Sequence, residues 1–175
     1  MIMTLEELRT FIDTDEQDVV LASKLSALEL LIRKLTNNNF QVRAYRCTAD
    51  IRDGSFLMNI PAPFSVGDTI QISESELNAG LYTITEMTDS TFTVAEPVVD
   101  EKNVLVTKVI YPMDVKIGVV NLMKWELNNR KKVGISSETL SRHSVTYFNM
   151  DGGNSAYGFP KSLTGFLKPY RKVMR

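Results

Sequence analysis

The stretch Pro112 to Lys132, PMDVKIGVVNLMKWELNNRKK, decides how the chain is read. Val115, Val119, Leu122, Met123 and Leu127 fall three or four apart, with Ile117, Val120 and Trp125 widening the stripe, which is helical periodicity. Pro112 suits a first turn that has no use for the missing N–H, and Asp114 sits at the positive end of the macrodipole. Arg130, Lys131 and Lys132 occupy the negative end, and Gly134 supplies a residue able to close the helix in left-handed geometry. A stripe this wide asks for burial against other helices.

Working back to the N-terminus, Thr4 and Glu7 form a capping-box pattern ahead of Leu5, Leu8 and Phe11 or Ile12. Thr14 with Gln17 gives a second start, for a helix carrying Val20, Leu21, Leu25, Leu28, Leu31, Ile32 and Leu35 that ends at Asn37, Asn38 and Asn39. Two helices so closely joined make a corner or hairpin that needs a third surface, and the helix after Pro112 offers one.

Between Phe40 and Tyr111 the period falls to two. The segments 56–60, 69–73, 81–87, 91–95 and 104–110 are rich in β-branched and aromatic residues, separated by Pro61 to Pro63, Gly67-Asp68, Asn78 to Gly80, Asp89-Ser90 and Asp100 to Asn103. Five short strands predict a small antiparallel barrel or sandwich. Flanked by helical segments, it reads as an insertion. The expected fold is therefore α+β: a small α-helical bundle, made of two N-terminal helices, a long central helix and a short C-terminal helix, with the β-rich domain inserted. The expected boundaries are 1–48 and 111–175 for the helical domain and 49–110 for the insertion.

After Gly134, residues 144–148 read as a strand and Asp151 to Asn154 as a loop tip. Pro160 opens a short helix whose Leu163, Phe166 and Leu167 share a face, and Pro169 ends it. A helix of about nine residues is marginal alone in water, so the tail is expected to order on a partner. The exit holds Tyr170, Arg171, Lys172 and Arg175, with no acid after Asp151.

Composition bounds the function. The chain has 175 residues, 23% of them charged, and a formal net charge of -1, which argues against a dedicated nucleic-acid binder. The β-rich segment opposes Asp68, Glu74, Glu76, Glu86, Asp89, Glu96, Asp100 and Glu101 to Lys102 and Lys108, a balance that repels a phosphate backbone. One cysteine, Cys47, excludes an intrachain disulfide, and the single His143 leaves too few soft ligands for zinc. Arg43 and Arg46 near Cys47 would lower a thiol pKa, but a structural cysteine is the simpler reading. Phosphate loops, dinucleotide fingerprints and zinc-hydrolase motifs are missing. Ser141, Arg142, His143 and Ser144 are adjacent on an extended segment and assign no orienting acid, so no catalytic residue, cofactor or metal is expected. Met1-Ile2-Met3-Thr4 leads straight into an acidic helix, without the basic and apolar regions of a signal peptide, so a cytoplasmic location is expected.

Several pieces in order resemble the head-tail connector, or adaptor, proteins of long-tailed bacteriophages. They are Thr4-Leu5-Glu6-Glu7-Leu8 leading to a second helix, Gly134-Ile135 through Ser137-Glu138, Ser144-Val145-Thr146-Tyr147, and Gly158-Phe159-Pro160 ending in Leu167-Lys168-Pro169-Tyr170-Arg171. The resemblance covers roughly residues 1–36 and 112–175; the segment from Asp50 to Ile110 departs from the smallest members. It implies a non-enzymatic virion protein, a ring of twelve copies under the portal that extends the DNA channel and receives the next neck or tail protein, assembled in the host cytoplasm. It also implies that the C-terminal segment clasps the portal, which makes Pro160, Leu163, Phe166, Leu167, Tyr170, Arg171 and Lys172 candidate portal-binding residues. Glu6, Glu7, Trp125, Arg130, Lys131 and Tyr147 are candidates for contacts between copies, since the acidic first turns and basic tail are of opposite sign. The rival readings are a tail-completion or stopper protein of the same neck and, from another class, a nucleic-acid-binding β-barrel module.

Overall fold

The computed structural model describes residues 1–130, 137–140, 143–146 and 153–173, with 137–140 and 143–146 as backbone only. The chain divides into two compact units, one made of Met1–Ile2 and Asn38–Tyr111, the other of Met3–Asn37 and Pro112–Arg175.

The first unit is a closed antiparallel barrel. Its strands are β1 (Gln41–Arg52), β2 (Ser55–Met58), β3 (Thr69–Ser73), β4 (Gly80–Met87), β5 (Thr91–Val94) and β6 (Glu101–Val109), paired in the order β1-β2-β5-β4-β3-β6. Closure comes from β1, which is twelve residues long and pairs with β2 on one side and β6 on the other. Register shifts between Gln41 and Arg46 and between Ala49 and Ile51 let so long a strand bend around the barrel. Asp53 and Gly54, at φ 48° and 76°, make the tight turn into β2.

Inside, Phe56 stacks on Phe92 at 4.5 Å and 10°, and Phe64 meets Phe92 edge-on at 5.9 Å. Ile51, Ile70, Ile72, Ile84, Val104 and Val106 fill the space around them. Cys47 is buried in the same core, and burial pushes its thiol up to about 11. The β3–β4 loop is tied down by Glu101, whose carboxylate accepts from Ser75 Oγ at 2.6 Å, Glu76 N at 2.8 Å and Asn78 Nδ2 at 2.8 Å. The Ser75 bond leads these in holding the Glu101 carboxyl below its ordinary range. Asn78 also pairs like a short piece of strand with Val99, donating to its carbonyl at 2.9 Å and accepting its N–H at 2.8 Å.

The second unit begins with α1 (Leu5–Phe11), capped by the Thr4 hydroxyl accepting from Glu7 N at 3.0 Å. The Glu7 carboxylate reaches Lys116 Nζ at 3.0 Å, so the reciprocal half of the expected capping box goes to an ion pair. α2 (Asp18–Thr36) starts after Gln17, not at Thr14, whose hydroxyl accepts from Glu16 N. Arg9 staples this connection, donating to Asp18 Oδ1, Thr14 O and Glu16 O. Asn37, at φ 46°, closes α2 in left-handed geometry. α3 (Met113–Asn129) follows Pro112, and the expected extension through Lys131 and Lys132 lies outside the described residues. Then come β7 (Ser137–Leu140) paired with β8 (His143–Thr146), β9 (Ser155–Ala156) paired with β10 (Phe159–Pro160), the single turn α4 (Lys161–Thr164) and a 3-10 helix over Gly165–Tyr170.

The expected helical bundle with an inserted small barrel is overturned: the molecule is mixed α/β, with four α-helices among the described residues and a closed six-stranded antiparallel barrel. Helix α3, with 17 residues, is shorter than the 19-residue α2 and is not a long central spine. The C-terminal helix reduces to one turn and a 3-10 segment, because Gly165 and Pro169 interrupt the α-helical ladder. The sixth strand, β1, was absent from the sequence reading. Ile117 also departs from it, facing outward although it widens the apolar stripe.

Phe56 and Phe92 carry most of the barrel's aromatic packing. Phe92→Ala is expected to destabilise the barrel by about 3–5 kcal/mol, the range for aromatic truncations in a close-packed core, measured as a lowered urea midpoint. Cys47 should resist alkylation in the native protein and react only as the barrel opens, so its labelling rate should rise with the same variant.

Candidate interaction surface of the helical unit

Gly118 lies on the buried face of α3 with Val115, Val119, Val120, Leu122 and Met123. A Cβ there would land in the ring of Phe166, so the hydrogen of glycine lets that ring rest on the helix backbone. Around this contact the chain from Gly158 onward is fastened at several points. Phe159 meets Trp125 edge-on at 5.4 Å, and Leu167 is 1% exposed. The Tyr170 hydroxyl donates to Asp114, with 2.7 and 2.8 Å to its two carboxylate oxygens. That bond, with burial and the Asp114 charge, pushes the Tyr170 phenol above its ordinary range. Lys172 N donates to Thr36 O at 2.7 Å.

Arg130 locks the start of the segment. Its guanidinium lies 5.0 Å from the Trp125 ring and 5.1 Å from the Phe159 ring, donates to Gly158 O at 3.0 Å, and binds Glu126 through Nε at 2.8 Å. Lys24 Nζ reaches the same carboxylate at 3.2 Å. Burial pushes the Glu126 carboxyl up, but the hydrogen bonds and charges of Arg130 and Lys24 outweigh it and leave the group below its ordinary range.

The candidate portal-binding residues therefore fall into three sets. Pro160 and Leu167 are buried, Leu163, Phe166 and Tyr170 are half-buried, and Arg171 and Lys172 are exposed. The tail was expected to wait for a partner to order it; instead its apolar face is satisfied on its own unit. Of the candidate subunit contacts, Glu6 is exposed, Glu7 is paired with Lys116, and Trp125 and Arg130 hold the tail. Lys131 and Tyr147 lie outside the described residues, as do Ser141, Arg142 and the side chains of His143 and Ser144.

Two shallow grooves open on this unit. One, of about 170 Å³, is lined by Phe11, Ile12, Asp13, Thr14, Lys124, Leu127 and Asn128. The other, of about 210 Å³, is lined by Lys24, Ala27, Leu28, Leu31, Glu126, Arg130 and Phe159. Among the described residues no group of three or more His, Cys, Asp and Glu side chains is placed to hold a metal, and no helix is long and apolar enough to cross a membrane.

No protein-family model matches the sequence, and comparison with curated proteins returns no match.

Gly118→Ala tests the packing. Alanine favours helix over glycine by about 1 kcal/mol, so α3 itself is not weakened, while the methyl expels the Phe166 ring. The expected outcome is a stable protein whose tail is cut rapidly by trypsin after Lys161, where the parent chain is protected.

Proposed function

We propose that the chain is a structural subunit of a bacteriophage neck, a head-tail connector that binds beneath the portal and passes the DNA channel on to the next neck or tail protein. The observation that carries this reading is the exit of the chain. The packed segment from Gly158 to Tyr170 and the Lys172 amide on Thr36 O fix the point from which the side chains of Arg171 and Lys172 project and Val173 leaves the unit, with extended backbone beginning at Arg171. An arm presented from a fixed root loses less freedom on binding than one that must be ordered from the start. The resemblance of the helical segments to connector proteins names the surface such an arm would lie on. The anchors are then Arg171 and Lys172, with Tyr170 as the hinge, while Pro160, Leu163, Phe166 and Leu167 form the root.

On this reading the portal's twelvefold ring organises the copies, the virion neck is the place of action, and DNA is cargo that passes through. The barrel contributes a rigid, acidic body whose interior is filled with side chains, so a nucleic-acid-binding barrel gains no support from it.

The experiment mixes purified protein with the portal protein of the same phage and images the complex by electron microscopy. Rings seated on the portal are the expected result. Arg171→Ala combined with Lys172→Ala should weaken portal binding by about 1–3 kcal/mol, the range for interface anchors, with the melting temperature unchanged because both side chains are exposed. Full-strength binding by that variant would remove the arm from the contact, and failure of the parent chain to bind portal would sink the proposal.

A further inference from the structure

The outward face of α2 carries Val19, Ser23, Ser26, Ala27, Leu30 and Lys34, which fall within roughly 100° of the helix circumference at 3.6 residues per turn. Val19 is 75% exposed and Leu30 58%. A solvated helix face ordinarily carries several charges, and this one has a single charge, at its C-terminal end. Ala27 belongs also to the groove floored by Leu28, Leu31 and Phe159. On the groove's rim Lys24 and Arg130 share one carboxylate, Glu126, so the rim is left with positive charge.

A second surface of the same unit has the opposite character. Phe11, 45% exposed, and Ile117, 47% exposed, stand on α1 and α3, which the Glu7–Lys116 ion pair holds together. Asp13 lines the same groove as Phe11 and Asp15 follows two residues on; both are exposed and carry no ion pair among the described residues. Lys124 is a cation at the edge of this surface, so its balance is negative but not purely so.

We infer that these two surfaces meet between copies of the chain, the Phe11 and Asp13–Asp15 corner of one copy docking on the Lys24–Arg130 groove and the α2 face of the next. Groove against groove would set Lys24 and Arg130 on their own counterparts, and corner against corner would oppose acids to acids. The head-to-tail pairing joins opposite signs and buries Phe11, Val19 and Leu30 together. Such a contact is heterologous, so it propagates from copy to copy and closes into a ring where the rotation allows. It deepens the connector reading, resting on it for closure under a portal but not for the contact itself.

Thiol cross-linking at high protein concentration, with a short bis-maleimide and without portal, tests the pairing. Wild-type protein is the control, since Cys47 is buried. A Phe11→Cys/Leu30→Cys chain should give a covalent ladder, an equimolar mixture of the two single variants should stop at dimers, and either single variant alone should stay at the wild-type background. Asp13→Lys with Asp15→Lys, both exposed and free of internal ion pairs, should cut the ladder at least about tenfold, as like charges across an interface do. Dimers from one single variant alone, or no ladder from the double variant, would overturn the contact. Portal-bound rings without the ladder leave the connector reading standing and remove this contact; a ladder without portal-bound rings does the reverse.

Discussion

A missing methyl group at Gly118 sets the form of the helical unit. Because the Phe166 ring rests on the backbone of α3, the chain after Gly158 can turn close along that helix and present Leu167 to its apolar face. Every later attachment uses this approach, from the Tyr170 hydroxyl on Asp114 to the Lys172 amide on Thr36. The polar bonds at the rim are exposed and individually weak; the buried aromatic and leucine side chains supply the larger share, on the order of 1.5–3 kcal/mol for each full burial. A segment too short to be helical in water is thereby held as one turn of α-helix and a 3-10 stretch.

Arg130 and Arg9 show how charge is used in this unit. Each binds at least one main-chain carbonyl as well as a carboxylate, so each fixes the path of a connection rather than simply pairing with an acid. Arginine suits the task because its planar fork addresses several acceptors at once. Arg130 adds the faces of Trp125 and Phe159, which makes its position costly to move.

Much of the local structure was legible where the signal is a single residue with one physical role. Thr4 caps α1, Asn37 ends α2, and the alternation in Thr91 to Val94 marks β5. β1 was hidden because its core-facing residues include Cys47 and Ala49, small side chains that do not stand out from Arg43, Arg46 and Thr48 around them. Asp53-Gly54 between Ile51 and Phe56 is the turn chemistry that would have disclosed it. With five strands the segment reads as a barrel or sandwich inserted into a helical bundle; the sixth strand closes it into a barrel with its own core. The tail was misjudged for a related reason. Its amphipathic spacing was visible, but its partner is a glycine within α3, and a residue without a side chain leaves no mark in a hydrophobic pattern. An isolated glycine in the middle of a strong helical stripe is nevertheless a sign that something approaches closely there.

The division between root and arm follows from these contacts. Residues through Leu167 spend their apolar surface inside the unit, so they have little left to offer a partner, whereas Arg171 and Lys172 spend only backbone groups and keep their charges in water. Charges presented this way contribute more to the rate and orientation of an encounter than to its final strength. The exposed apolar area of this unit lies elsewhere, on the outward face of α2 and around Phe11. The two kinds of surface are thus separated in the chain: the charged side chains of Arg171 and Lys172 at its end, and exposed apolar side chains on α1 and α2.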